Sequence, residues 1–190
     1  PKHFDFLEKE ILSQWQGKRT FRVWSAASST GEEAYSIAML LDDKLGSRSW
    51  DIFGSDISHR VLKTAQQGCY QQNRIDGIPK EYLQKYCLNG MGEYKGSLLI
   101  DKKLRQKVTF SPMNLKKPLG NLGPFEIIFL RNVLIYFDEQ TKKQIIRQLA
   151  EKLHPEGYLF IGHSESLKGI HDGLESVIPT VYRKSRSDRL

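Results

Sequence analysis

Arg22-Val23-Trp24-Ser25-Ala26-Ala27-Ser28-Ser29-Thr30-Gly31-Glu32-Glu33-Ala34-Tyr35 is the stretch on which the reading of this chain turns. The apolar run from Phe21 to Trp24 reads as a strand and passes straight into a turn of small residues. From Thr30 the period changes: Tyr35, Ile37, Ala38, Leu40 and Leu41 recur at helical spacing until Gly46 stops them. Strand, tight turn and helix in that order open an α/β sheet, whose ligands bind beyond the carboxyl ends of the strands. Small side chains let a ligand approach the backbone, and a helix start offers unpaired N–H groups. Glu32 and Glu33 follow at once. They suit the helix dipole but repel a pyrophosphate, and the turn has no GxGxxG. A ligand with a cationic or hydroxyl-bearing portion is expected rather than a dinucleotide. The competing reading is a tight turn with dipole-favourable acids.

The rest of the chain continues the βα series. An N-terminal helix is expected over Phe4 to Trp15, and a second strand from Trp50 to Ser55, ending at Asp56. A helix should run from Ser58, its expected cap, to Gln67, and a short one from Pro79 to Tyr86. Phe125 to Leu130 is almost continuously apolar, as in a central strand covered on both faces. Asp138 is positioned to cap a helix reaching Leu153, which His154-Pro155-Glu156-Gly157 should break before a strand at Tyr158 to Ile161 and a last one at Val181-Tyr182. Between the two halves, Gly90, Gly92 and Gly96 punctuate a polar turn region. Ser97 to Ile100 and Lys107 to Phe110 are expected to form an antiparallel hairpin, making residues 90–110 a small inserted β-subdomain within one domain spanning 1–190.

The 190 residues, 39% hydrophobic, suit one domain with a substantial core. No apolar run approaches the roughly 18 residues of a membrane span, and Pro1 to Asp5 shows no signal pattern. A soluble, monomeric cytoplasmic protein, not membrane-inserted, is the expectation. Cys69 and Cys87 stand far apart with no CxxC pair, so ordinary thiols and no metal site are expected. The net charge of +7 suits nucleic acid, an anionic membrane, an acidic protein partner or simply a solvated basic face, with a local cluster at Arg183, Lys184 and Arg186. The aromatic-and-basic interleaving of single-strand binders is missing, so no nucleic-acid partner is expected.

Asp56 ends the second strand, where a carboxylate can accept hydrogen bonds from ribose hydroxyls or cap the next turn. Arg131 and Asn132 directly follow the buried strand, a costly place for polar groups unless they face a site or are paired. Asn114 sits near another strand end and could read an adenine edge. Together these residues point to an adenosine-type ligand without phosphate, and S-adenosylmethionine fits.

The segments Arg22 to Ser36, Ser55-Asp56-Ile57, Asn114-Leu115, Phe129 to Phe137 and Gly162-His163-Ser164-Glu165-Ser166 resemble, in order, the CheR family of chemotaxis methyltransferases, which esterify glutamate side chains of chemoreceptors. The resemblance implies a Rossmann-like S-adenosylmethionine-dependent methyltransferase fold with a small antiparallel β-subdomain, and S-adenosylhomocysteine as product. It implies a cofactor site at Ala26, Ala27, Thr30, Glu33, Asp56, Asn114, Leu115, Arg131 and Asn132. Glu33 would hold the methionine amino group and Asp56 the ribose, with Asn114 and Leu115 against the adenine. Tyr136 and Arg131 would be catalytic, Tyr136 near the transferred methyl. The acidic helical region of a chemoreceptor is the implied partner, and in some members the β-subdomain docks the receptor's C-terminal peptide by adding a strand. The chain departs from the family at Ala26 or Ala27, where glycine is common, and at Ala34, where proline is usual. In the family a Thr-x-Phe-Phe-Arg segment and a small helical domain precede the residues matching Pro1 to Phe4; this sequence starts after them, so the expectation is either a fragment of a longer protein or a shortened relative. That departure supports the alternative of a non-catalytic, cofactor-sensing or interaction module. His163 reads as a structural histidine at a strand end rather than a base.

Overall fold

The structure is a computed structural model and describes residues 2–72, 77–167, 169–170 and 173–185. Pro1 and Arg186 lie outside the described residues. The main sheet holds β1 (Phe21–Ser25), β2 (Trp50–Asp56), β6 (Val108–Pro112), β7 (Phe125–Leu130), β8 (Leu153–Ile161), β9 (Leu174–Ile178) and β10 (Val181–Lys184) in the order β6-β2-β1-β7-β8-β10-β9. Strands β6, β2, β1, β7 and β8 pair in parallel, and β10 and β9 close the edge antiparallel. The remaining strands, β3 (Cys69–Gln71), β4 (Cys87–Asn89) and β5 (Ser97–Ile100), form a separate antiparallel sheet in the order β3-β5-β4.

Why β7 is buried at every position, and apolar at all but Glu126, follows from its place. It lies between β1 and β8, and its side chains alternate between two cores. Ile127 and Phe129 join the core that α2 (Glu32–Leu45) covers with Ile37, Ala38 and Leu41. Ile128 and Leu130 join the one that α6 (Glu139–Lys152) covers with Ile145, Ile146 and Leu149. The cap expected of Asp138 is present, its Oδ1 accepting the Thr141 N–H at 2.8 Å. Glu126 is the polar member of this strand, and its carboxylate is engaged by Arg19 Nε and by the Arg22 N–H, each at 2.7 Å.

Several local expectations change. Ser97–Ile100 and Lys107–Phe110 do not pair with each other. Strand β5 pairs with β3 and β4, while β6 joins β2 in parallel with Ile52 opposite Val108. The basic connection between them is a helical turn, α5 (Lys102–Arg105), capped by Asp101, in place of a hairpin turn. The small sheet therefore draws on strands before residue 90 as well as after it, with α4 (Lys80–Tyr86) leading into β4. His154 to Gly157 lies within β8 as an irregularity, with Glu156 at φ 66°, rather than between helix and strand. Ser58 occupies the N-cap of α3 (His59–Gln67) without a side-chain cap bond; Asp56 Oδ1 accepts its N–H instead. The N-terminal helix is broken into α1 (Lys2–Phe6), a π-helical turn and a 3₁₀ turn, which together bury Leu7, Ile11 and Leu12. Among the described residues no helix is long and apolar enough to cross a membrane.

Candidate functional site

Three parallel strands, β2, β1 and β7, lie side by side, and the turns that leave them meet at one open cleft of about 390 Å³. Ala27, Ser28, Ser29, Glu32 and Glu33 line it from the first turn, Asp56 from the second, and Arg131, Asn132 and Val133 from the third. A groove of similar size on α6, lined by Gln140, Lys143, Gln144, Arg147 and Ile170, brings together no carboxylate and touches no strand end.

The first turn is held by its neighbours. The Ala26 N–H donates to the Phe129 carbonyl and the Ser28 N–H to the Ser55 carbonyl, both at 2.8 Å, so the turn extends the sheet hydrogen bonding on both sides. Gly31 then takes φ 91°, and a Cβ there would lie 2.8 Å from Ala65 Cβ and 3.0 Å from the Tyr70 hydroxyl. Only glycine satisfies both the left-handed φ and the close approach of α3. From Gly31 the helix α2 starts with Glu32 and Glu33 in its first turn.

Each carboxylate of the cleft has fixed partners. Asp56 Oδ2 accepts the Ser29 N–H at 2.9 Å and Oδ1 the Ser58 N–H at 3.0 Å, so one side chain ties the first turn to the second. Glu33 Oε1 accepts from the Ser25 hydroxyl at 2.9 Å, and Oε2 pairs with Arg131 Nη1 at 2.9 Å. Arg131 and Glu33 are both partly buried, so the pair is screened less than a surface bridge. Arg131 Nε is buried with no hydrogen-bond partner among the described residues.

Glu33, Asp56, Ala27, Arg131 and Asn132 thus come together as the sequence suggests. Ala26 is buried beneath the turn. Thr30 turns to Glu32 through its hydroxyl and to Tyr70 through its carbonyl. Asn114 lies one residue past Met113, whose N–H donates to the Asp56 carbonyl, but its Oδ1 accepts the Lys116 N–H. Leu115 packs in the α6-side core. Neither Asn114 nor Leu115 lines the cleft. Tyr136, 77% exposed, stands on a 3₁₀ turn three residues beyond Val133. Ile135, next to it in the third turn, and Ile57, one residue past Asp56 in the second, are exposed as well.

Sequence reasoning missed three contributors. Ser25 orients Glu33. Glu165 accepts the Leu134 N–H at 2.8 Å and also bonds the Asn132 and Gly162 amides. His3, from α1, is 2% exposed, stacks on His163 at 4.8 Å and meets Thr180 Oγ1 at 2.7 Å. Burial first, then the positive charge of Arg131 and the neighbouring His163, push His3 down to about 4, so it is neutral near pH 7. The Gly162–Ser166 segment was the signal for Glu165, but its spacing gives no hint that it folds back over Asn132.

The lining holds three carboxylates, Glu32, Glu33 and Asp56, against one guanidinium. Such a cleft disfavours phosphate and favours a ligand carrying cationic and hydroxyl groups, which is the character of S-adenosylmethionine. The donor and acceptor set fits that cofactor.

Comparison with known proteins agrees. The family described as "CheR methyltransferase, SAM binding domain" matches residues 1–183. A chemotaxis protein methyltransferase of Escherichia coli is 42% identical over 87% of this chain and 59% of its own length. That of Salmonella typhimurium is 41% identical over 93% of this chain and 63% of its own. The chain thus spans about three-fifths of the length of these relatives. Among solved structures, TrmN from Thermus thermophilus superposes with a TM-score of 0.54 at 13% identity, covering 86% of this chain and 44% of that one, a likeness of fold.

Proposed function

This chain belongs to the CheR methyltransferase family, matching its S-adenosylmethionine-binding domain, and from that premise we propose that it methylates glutamate side-chain carboxylates of chemoreceptors in the cytoplasm. One observation carries the reading: three strand ends converge on a cleft that is net acidic yet offers ribose acceptors at Asp56.

S-adenosylmethionine supplies an electrophilic methyl group on a sulfonium sulfur. The acceptor glutamate is already ionised at pH 7, so the chain's residues need remove no proton. Their work is alignment and exclusion of water. Asp56 keeps lone pairs beyond its two backbone bonds for ribose hydroxyls. Ala27 leaves the first turn open to close approach, and Glu33 places negative charge where an ammonium group is expected. Arg131 holds Glu33 in position and adds positive potential toward the acceptor carboxylate. Tyr136, exposed three residues beyond the cleft-lining Val133, is assigned to orient that carboxylate by donating its hydroxyl, with Ile57 and Ile135 as apolar surface for the incoming partner. The product pair is a methyl ester and the neutral thioether S-adenosylhomocysteine.

Two features support receptor binding. The net charge of +7 complements an acidic helical bundle and should raise the encounter rate, an effect that falls with salt. The small sheet ends at strand β4, with Leu88, Met91 and Tyr94 exposed around it, which suits addition of a peptide strand. Labelled cofactor incubated with receptor, with RNA or alone tests the proposal. Base-labile label on receptor is the expected result; label on neither favours the cofactor-sensing module. Tyr136→Phe should lower the methylation rate at saturating cofactor by about tenfold or more, in the range of a lost positioning bond, and an unchanged rate removes that role.

A further inference from the structure

We propose that Glu165 is a positioning residue for the cofactor cleft, fixing the backbone of Asn132 to Leu134 from which one wall of the cleft is built. The inference rests on reading that cleft as an S-adenosylmethionine site. Glu165 is not itself in the lining. It follows β8, on the next loop, and is 9% exposed. Its Oε1 accepts the Leu134 N–H at 2.8 Å, and its Oε2 accepts the Asn132 N–H at 3.3 Å and the Gly162 N–H. One carboxylate therefore gathers main-chain donors from the loops that leave two adjacent parallel strands, β7 and β8.

The wall needs such a clamp. Asn132 sits at φ 59°, a left-handed conformation uncommon outside glycine that asparagine tolerates better than most, and its N–H is held there by Glu165. Strand β7 ends at Leu130, so no strand partner holds that residue in place. Gly162 completes the corner by having no side chain: a Cβ there would lie 2.6 Å from Glu165 Oε2 and 2.7 Å from Asn132 Oδ1. Three converging N–H donors select a carboxylate. A glutamine offers one oxygen and turns an NH₂ group against a backbone N–H, and an aspartate reaches one methylene less far.

If the clamp slackens, Arg131, Asn132 and Val133 lose their fixed places in the lining, and cofactor affinity falls without loss of the fold. The test titrates S-adenosylhomocysteine into the full chain and into Glu165→Gln and Glu165→Asp by calorimetry, with thermal unfolding alongside. Glu165→Gln should weaken the Kd by about tenfold or more at unchanged stoichiometry, a difference of roughly 1.4 kcal/mol. With methyl acceptor present, KM for the cofactor should rise, a change that a role confined to stability would not produce. A role confined to stability would instead lower the unfolding midpoint and the competent fraction and leave Kd as it was. A folded Glu165→Gln with Kd within about twofold of the parent overturns the proposal. Should that variant not fold, Glu165→Asp, which keeps the charge, carries the same test: a weakened Kd supports the clamp and an unchanged one overturns it. Failure of the parent chain to bind S-adenosylhomocysteine is a separate result, and it overturns the reading of the cleft.

Discussion

Replacing Asp56 by alanine separates the two roles a strand-end carboxylate can play. The side chain accepts the Ser29 N–H at 2.9 Å and the Ser58 N–H at 3.0 Å. Ser29 is exposed and Ser58 only partly buried, so both amides regain water in Asp56→Ala. The stability loss should therefore be small, about 1–2 kcal/mol for the pair of bonds. The effect on binding should be larger, because a ribose would lose two charge-assisted acceptors worth ~1.5–3 kcal/mol each when made to an ion. Discounting for the openness of the cleft, a net loss of ~3 kcal/mol corresponds to a Kd for S-adenosylhomocysteine weakened by roughly a hundredfold. Calorimetric titration gives the Kd, and thermal unfolding gives the stability term on the same samples. Asp56→Asn keeps one oxygen and should fall between parent and alanine. If Asp56→Ala loses stability as expected but binds S-adenosylhomocysteine within about threefold of the parent, Asp56 is only a turn-former and the ribose assignment is wrong.

Gly162→Ala puts a methyl group into the corner shared by Glu165 and Asn132, with contacts of 2.6 to 2.9 Å. It should cost about 1–3 kcal/mol of stability and weaken S-adenosylhomocysteine binding, and a chain with unchanged melting and Kd would show that the corner yields freely. His3 gives a pH dependence. Its pKa falls from 6.5 to about 4 on folding, so between those values the unfolded chain binds the extra proton and stability rises with pH. The contribution is complete above pH 6.5 and is lost as pH falls from there through about 4, at most ~3 kcal/mol. Urea midpoints from pH 7.5 to 4.5 should fall less steeply for His3→Asn than for the parent; parallel curves would refute the assignment.

The strand–turn–helix unit at Phe21 to Leu45, the buried strand Phe125 to Leu130 and the capped helix after Asp138 were legible in the chain because each announces itself locally. Small residues and a change of apolar period mark the turn, and unbroken apolarity marks a strand covered twice. Ser97–Ile100 and Val108–Pro112 were each recognisable as strands, but not their partners. Pairing is a long-range choice, and the helical turn at Lys102–Arg105 sends the second strand to a different sheet. Strand β9 went unread because Leu174–Ile178 has an exposed, polar middle at the sheet edge.

The same division runs through the cleft. Acids after a small-residue turn, an aspartate at a strand end and an Arg-Asn pair after a buried strand identify the kind of ligand from chemistry that neighbours in sequence already carry. Folding adds the pairing of Glu33 with Arg131 across 98 positions, and of Glu165 with amides 31 and 33 residues earlier. Those contacts depend on β1, β7 and β8 lying side by side. Composition and periodicity are local and set the character of the turns. Which turn faces which is set by strand order, and strand order follows from burying both faces of the sheet at once.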